Sequence, residues 1–396
     1  MTGAAGGGAP RAALTVLIAP DSFKGSLTSL EVARALAAGW AGARPRDTTL
    51  LAPLADGGEG TLVAIEAAGG WEVREADVTD PIGRRIRARW LQSSDGRRAV
   101  VEMAEASGLS RLTPAELDPL GATTFGTGEL LLAAIAAGVE EITLGIGGSA
   151  TNDGGSGILQ AIGATVSGDA DATAVSVDLT ALDPRLGGVD LRVACDVTNP
   201  LLGPSGAAAT YGPQKGATSA DVAELDRRLG RYADALEAAT GRRERETPGA
   251  GAAGGVGFGL LVIQDRFRSF ALRPGVDLVM EATGFSDKLA VADLVLTGEG
   301  RIDAQTAFGK TALGVAKQAA AAARPCIAVG GGVDLDGIDA LGALGVVVVP
   351  VSERPQSVEA AIGAGAEPVV RCGERIAGLV DLGLGLGLGI GAESRA

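Results

Sequence analysis

The two ends of this chain share a grammar that the middle does not. Residues 14–19 form an apolar run, and residues 26–40 show helical spacing of Leu27, Leu30, Ala33, Leu36 and Ala37. Residues 49–54 are apolar again, and residues 60–68 read as a second helix. The same alternation returns near Asp293 as ADLVLTG, a helix from about Thr311, PCIAVGG and LGVVVVPV. Strands alternating with helices predict parallel βαβ units. In between, RRIRARWLQSSDGRRAVVEMAEASG carries two extended runs around Asp95-Gly96, a hairpin signal that predicts antiparallel pairing. A helix at 130–137, a strand at 141–146, a buried run at 191–195 and a charged amphipathic helix at 221–240 complete the middle block. One grammar set inside another predicts a discontinuous α/β domain, residues 1–80 with 288–396. The inserted second α/β domain, with antiparallel strands, is then residues 81–287. A chain of 396 residues is long for one core, which suits two domains. The competing division is two consecutive domains split near residue 185. An inserted layout predicts a cleft between domains, where small molecules commonly bind.

Composition removes whole classes of function. The chain has no histidine, which excludes His-based triads, His metal sites and a His general base. Acid–base work falls to carboxylates, Lys, Tyr or Cys. A formal net charge of −14 argues against nucleic acid or an anionic membrane as a partner. Local Lys and Arg can still hold a small anion. Cys195, Cys326 and Cys372 show no CxxC spacing and read as buried thiols of a reducing, cytoplasmic compartment. The run at 14–20 lacks a signal-type cleavage site and leads into DSFKGS, so it reads as a buried strand. No uncharged stretch of about 18 apolar residues occurs, so no transmembrane helix is predicted. Residues 1–13 read as a disordered lead, and LVDLGLGLGLGIG as a terminal helix packed through small residues.

The 62 glycines, about twice the usual share, direct attention to the loops. GIGGSATNDGGSG, residues 145–157, lies between a predicted strand and a predicted helix. Gly145-Ile-Gly147-Gly-Ser-Ala150 fits the dinucleotide pattern GxGxxA, and Asp169 lies about the right distance on. The helix should open at the third small residue, but residues 151–155 intervene. Residues 249–254 fit GxGxxG without a buried strand in front. Residues 304–311 resemble a Walker A loop, yet the preceding strand reads as ending near Gly298, too far upstream. These stretches share glycine-exposed backbone N–H groups ahead of a helix N-terminus, which suits a ligand with several phosphates. Plain tight turns are the alternative.

Four buried runs end in carboxylate-bearing loops. Asp21-Ser22-Phe23-Lys24-Gly25-Ser26 follows the first, and Asp56-Gly57-Gly58-Glu59-Gly60 follows the second. Asp196-Val-Thr-Asn199 follows the run at 191–195, and Gly298-Glu299-Gly300-Arg301-Ile-Asp303 follows the run at 294–297. In parallel α/β sheets, sites form outside the carboxyl ends of strands. A single acidic loop is commonly a helix cap, and Asp21 or Asp56 could be one. Four such loops, three of them with glycines and three with Lys, Arg or Asn, favour a site.

At this point the motifs carry a resemblance. APDSFKGS, PLADGGEGT, GIGGSATNDGGSG, ACDVTNPLLG with YGPQKGA, PGAGAAGG and LTGEGRID…GK resemble the bacterial glycerate kinase family of the enterobacterial type. The likeness is collinear over roughly residues 14–390. It implies two α/β domains, the discontinuous one flavodoxin-like, with the active site in the cleft between them. It implies phosphorylation of D-glycerate by ATP with Mg2+, the product leaning toward 2-phosphoglycerate with 3-phosphoglycerate open. The glycine-rich lead and the LGLGLGLG tail depart from the family.

Phosphoryl transfer needs positioning, charge neutralisation and an acceptor for the attacking hydroxyl's proton. Without histidine that acceptor is expected to be a carboxylate, Asp196 first and Asp56 second, with Lys24 in the catalytic set. Mg2+ takes hard oxygen ligands, for which Asp56, Glu59 and Glu299 are candidates. Lys24, Lys215, Arg301 and Lys310 are expected to neutralise phosphates or hold the substrate carboxylate. Gly148, Ser149, Thr151, Asn152 and Asp153 would line the opening loop against substrate or nucleotide. Asp21, Ser22, Gly57 and Gly58, then Asn199, Gly251, Gly254 and Asp303, complete the expected binding set. Two functions compete: a kinase for another small hydroxy-acid, and a nucleotide- or sugar-acid-binding regulator without catalysis. The intact acidic and basic loops speak against the second.

Overall fold

The computed structural model describes residues 12–168, 175–304, 306 and 311–386. The chain opens with β1 (Thr15–Pro20) and β2 (Thr48–Leu51). It continues through β3 (Trp71–Thr79), β4 (Arg85–Ser93), β5 (Arg98–Glu102), β6 (Glu141–Gly145), β7 (Thr165–Ser167), β8 (Ser176–Asp178), β9 (Asp190–Ala194) and β10 (Ser269–Arg273). It ends with β11 (Leu294–Ile302), β12 (Cys326–Val333) and β13 (Val347–Pro350). Two compact units result: residues up to 54 with those from 280 onward, and residues 55–279.

The first unit is a five-stranded parallel sheet in the order β13-β12-β11-β1-β2. Counted along this unit alone, that is the 2-1-3-4-5 order of flavodoxin-like sheets, whose switch point lies between the first and third strands. Here those strands are β1 and β11, paired from Val16↔Leu294 to Pro20↔Gly298. Val16 to Ala19 are fully buried, as expected of a parallel strand covered on both faces. The helix Ser29–Ala43 starts with a capping box between Thr28 and Glu31. It lays Val32, Leu36 and Trp40 into a core with Val16, Ile18 and Leu296. The helix Glu367–Gly385 packs on it through glycines. A Cβ on Gly39 would lie 1.9 Å from the Val370 carbonyl oxygen, and one on Gly373 would lie 2.6 Å from that of Leu36. The terminal helix therefore begins earlier than its repeat suggested, and its small-residue contact is at Gly373. Leu379, Leu382 and Leu386 are exposed, and residues 387–396 lie outside the described residues.

The second unit is a mixed six-stranded sheet in the order β10-β9-β6-β5-β4-β3, with a small antiparallel β7–β8 pair. β10, β9, β6 and β5 run parallel, whereas β4 is antiparallel to both β5 and β3. The β4–β5 hairpin turns at Asp95-Gly96, with Gly96 at φ 76°. Val101, Leu144, Val193, Leu229 and Phe258 belong to one core.

Two sequence expectations shift. Residues 55–79 join the inserted unit, because β3 pairs with β4 along its whole length, Trp71↔Ser93 to Thr79↔Arg85, and the helix Thr61–Ala68 packs on β3 and β5. The divisions therefore fall at 54/55 and 279/280 rather than at 80/81 and 287/288. Periodicity marks a helix but not which sheet it covers. Second, β11 runs on to Ile302 instead of ending near Gly298, paired with β12 as far as Ile302↔Val333. Only residues 303–310 then separate it from the helix Thr311–Ala321. The spacing that set the Walker-type reading aside does not hold, though Ala304 still stands where that motif has its first glycine. Among the described residues no helix is long and apolar enough to cross a membrane.

Candidate active site

Each unit gathers acidic loops at the carboxyl ends of its own parallel strands. In the inserted unit, the loop at 56–60 is held by bare backbone. A Cβ on Gly147 would lie 2.5 Å from Gly58 Cα, and one on Gly275 would lie 2.0 Å from the Asp56 carbonyl oxygen. The Gly147 N–H donates to the Gly57 carbonyl at 3.3 Å. Such approaches admit only glycine. Gly275 also donates its N–H to Asp196 Oδ1 at 3.0 Å. One glycine thus presses on the Asp56 backbone and holds the Asp196 carboxylate.

Asp196 keeps much of its surface in solvent. Even so, the protein atoms around it displace enough water to push its carboxyl up to about 6. The Gly275 N–H pulls the other way, and negative charge on Asp56 and Asp277 adds to the rise. Asp56 turns its Oδ1 back to the Gly58 N–H at 3.2 Å. Glu59 is exposed.

Asp153 is built differently. One carboxylate oxygen accepts the Thr124 N–H and hydroxyl, both at 2.8 Å, and the Gly157 N–H at 3.1 Å. The other accepts the Gly155 N–H at 3.0 Å. Burial still pushes its carboxyl upward against those bonds. Four donors occupy about all the acceptor sites a carboxylate has, so Asp153 ties its loop to the starts of the helices Phe125–Ala136 and Ser156–Ala161.

Lys215 is 1% exposed and donates to the Thr151 carbonyl at 2.5 Å. Burial pulls its ammonium down to about 7, with the Asp153 charge opposing. The Thr151 hydroxyl and both amide atoms of Asn152 are buried without a hydrogen-bond partner. Gly254 presses on the same stretch, since a Cβ there would lie 1.9 Å from the Thr151 carbonyl oxygen. A Cβ on Gly251 would lie 2.2 Å from that of Pro200. Loop packing by itself demands glycine at both positions. Asn199 donates to the Ser205 carbonyl at 2.8 Å and accepts from the Tyr211 hydroxyl at 2.8 Å, pinning its loop to the helix Ala207–Tyr211. Ser149 is buried and bridged to Gly108, while Gly148 is exposed with φ 74°.

In the first unit, Asp21 and Glu299 stand at the switch point between β1 and β11. The Asp21 N–H donates to the Gly298 carbonyl at 2.8 Å. Its carboxylate accepts the Ser22 N–H at 2.6 Å and the hydroxyl of Thr311, the first residue of its helix, at 2.5 Å. Glu299 is 5% exposed and accepts from the Thr306 hydroxyl at 2.5 Å. A Cβ on Gly300 would lie 3.1 Å from Phe23 Cα, so the loop after β1 touches the end of β11. Lys24 is exposed. Arg301 is ion-paired with Asp303 at 3.2 Å and Asp334 at 2.8 Å. Lys310 lies outside the described residues.

Among the described residues no group of three or more Cys, Asp and Glu side chains is arranged to hold an ion. Mg2+ is commonly held by one or two carboxylates together with phosphate oxygens and water. Asp196, whose proton affinity is raised in part by the charge on Asp56, fits that chemistry together with Asp56. A surface cavity lined by Asp234, Glu237, Arg243 and Arg245 carries none of the acidic loops, and Arg245 is paired with Glu237 and Asp234. Sequence reading missed Glu102, Gly275 and Thr311. Glu102 had a signal, since it too is an acid ending a buried run; Gly275 and Thr311 had none.

The family model described as the glycerate kinase family matches residues 16–381. The chain is 45% identical over 357 residues to a glycerate kinase of Bacillus subtilis (strain 168), covering 86% of this chain and 92% of that one. It is 43% identical over 345 residues to glycerate 2-kinase of Escherichia coli (strain K12), covering 83% and 90%. A crystal structure from Salmonella typhimurium LT2, named as a candidate glycerate kinase 2, superposes with a TM-score of 0.80 at 42% identity, covering 94% of this chain and 99% of that one.

Proposed function

This chain belongs to the glycerate kinase family, and from that premise we propose that it transfers the terminal phosphoryl group of ATP to D-glycerate, giving 2-phosphoglycerate. It is a phosphotransferase by family. The observation that carries the mechanism is the Asp196 carboxyl, raised to about 6 beside Asp56 and steadied by the Gly275 N–H. A general base works best with a pKa near the operating pH. Above about 6 Asp196 is ionised. It takes the proton of the attacking glycerate hydroxyl as the new O–P bond forms, and ADP leaves with the electrons of the broken bond. Mg2+, when bound, supplies charge neutralisation on the phosphates. Asp56 is its proposed ligand, with Glu59 and Glu299 the other candidates.

The switch point between β1 and β11 is the proposed nucleotide side, because ligands of such sheets bind outside the strands' carboxyl ends. Lys24 and Lys310 would supply positive charge there. Lys215, with Thr151 and Asn152, would serve the loop at 145–157. That both sets of loops serve one reaction rests on family membership. A cytoplasmic location belongs to the same proposal, supported by three free cysteines.

The test is a coupled ADP-release assay with D-glycerate, L-glycerate and glycolate, the product being identified by phosphorus NMR. Turnover on D-glycerate to 2-phosphoglycerate is expected. ATP binding without turnover on any hydroxy-acid would overturn the proposal in favour of a regulator.

A further inference from the structure

Glu102 closes the carboxyl end of β5 and is 3% exposed. Its Oε1 accepts the Gly60 N–H at 3.1 Å, and its Oε2 accepts the Leu62 N–H at 3.0 Å. These N–H groups open the helix Thr61–Ala68, whose N-cap residue is Gly60, with φ 92° and no side chain to cap anything. The first N–H groups of a helix need partners from outside it. Here the partner comes from a neighbouring strand, and the helix start it fixes is the far end of the loop at 56–60.

The backbone of Glu102 is equally fixed. Glu102 pairs with Gly145 across β5 and β6, and the Met103 N–H donates to the Gly145 carbonyl at 2.8 Å. Gly145 in turn abuts the loop, since a Cβ there would lie 2.5 Å from the Gly57 carbonyl oxygen. One residue therefore joins the start of the loop at 145–157 to the end of the loop carrying Asp56.

The electrostatic setting is adverse. Glu59 and Glu105 repel the Glu102 carboxylate, and Arg89 is paired with Glu105 at 2.8 Å. Burial, the largest cause, pushes the Glu102 carboxyl up to about 7. A glutamine would avoid a buried charge, but an amide has one acceptor oxygen, and only a carboxylate accepts through both end atoms. The geometry singles out an acid kept for where it holds the loop.

We propose that Glu102 is a positioning residue: by clamping the Gly60 and Leu62 N–H groups it fixes the far end of the loop that carries Asp56. Glu102 touches neither substrate nor reacting atoms, and the inference rests on the reading of Asp56 and Asp196 above.

The experiment compares full-length wild type, Glu102→Gln, Glu102→Asp and Asp196→Asn. Glu102→Gln is expected to lower kcat at about pH 8 by about tenfold, the scale of a small misplacement at a reacting centre, with both KM values within about twofold. The Glu102 carboxyl titrates higher in the folded state than its ordinary 4.5, so its charge weakens the fold as pH rises through about 7. The Gln variant should therefore melt no lower than wild type at about pH 8. Glu102→Asp, charged but a methylene shorter, should recover part of the rate. Wild-type kcat in Glu102→Gln, or a rate loss matched by a fall in melting temperature, overturns the proposal. Asp196→Asn at full rate beside an impaired Glu102→Gln overturns the base assignment instead and leaves Glu102 as the clamp of Asp56.

Discussion

Asp153 and Asp196 follow neighbouring strands of one sheet, β6 and β9, and are used in opposite ways. Asp153 accepts four hydrogen bonds, three of them from backbone N–H groups of two helix starts. Asp196 accepts the Gly275 N–H and otherwise meets negative charge from Asp56 and Asp277. Burial pushes both carboxyls upward. The difference lies in the donors. A carboxylate saturated by N–H groups holds architecture, and moving it would orphan those donors. A carboxylate with one such donor, beside like charges, has lone pairs available and a reason to accept a proton. Residue type and loop position alone do not separate these roles, since both are acids beside glycines after buried strands.

The comparison breaks most decisively in turnover. Asp196→Asn should lower kcat by about 10² or more, the low end for a general base, which is about 2.7 kcal/mol of barrier. Its melting temperature should not fall at about pH 8, because the folded-state pKa lies above the ordinary 3.8 and the ionised carboxylate weakens the fold there. Normal turnover in this variant would place the base elsewhere. Asp153→Ala should do the reverse. It leaves the Thr124, Gly155 and Gly157 N–H groups without their acceptor, at a cost of about 3 kcal/mol of stability. A urea midpoint reads this directly, and an unchanged midpoint would mean those donors find other partners.

Much of this could be read from the sequence. The hairpin at Asp95-Gly96, the parallel strands at both ends and the long helix, observed as Ser219–Thr240, all announce themselves through local period and turn chemistry. The loops at 21–26, 56–60 and 196–199 are legible as acids after buried runs, whereas Glu299 lies inside β11. The network that ranks these acids is not legible. Gly275 lies 79 positions from Asp196 in sequence, and PGVD around it carries no motif. Thr311 reaches Asp21 across 290 positions. Gly251 and Gly254 suit a phosphate cradle and close backbone packing alike, because both demand glycine. Local sequence cannot say which neighbour arrives. Residues 55–79 were misplaced for a related reason: a βα pattern fixes an element's type, while β3's partner is decided by β4.

A smaller effect tests the shared contact. A methyl group at Gly275 would meet the Asp56 carbonyl oxygen at 2.0 Å. Gly275→Ala should therefore force Asp56 and Asp196 apart and lower kcat by about tenfold, with about 1–3 kcal/mol lost from overpacking. A rate loss no larger than the stability loss predicts would reduce Gly275 to a packing position.

The smallest effect is the sharpest probe of the electrostatics. If Asp196 is the base, the active form is its carboxylate, so kcat/KM in wild type should hold above about 6 and fall about tenfold per pH unit below it. Burial is the main cause of that midpoint and is unchanged by Asp56→Asn. The like charge of Asp56 is the lesser cause, and the substitution removes it. The acid limb should then move to lower pH while keeping its slope, even though loss of a proposed Mg2+ ligand lowers the plateau. Asp153→Ala leaves the Asp56 charge in place, so its limb should stay where wild type has it. If Asp56→Asn moved the limb upward, Asp56 would be stabilising the Asp196 carboxylate through a bound cation rather than repelling it, and the contrast between the two acids would need to be redrawn around the metal.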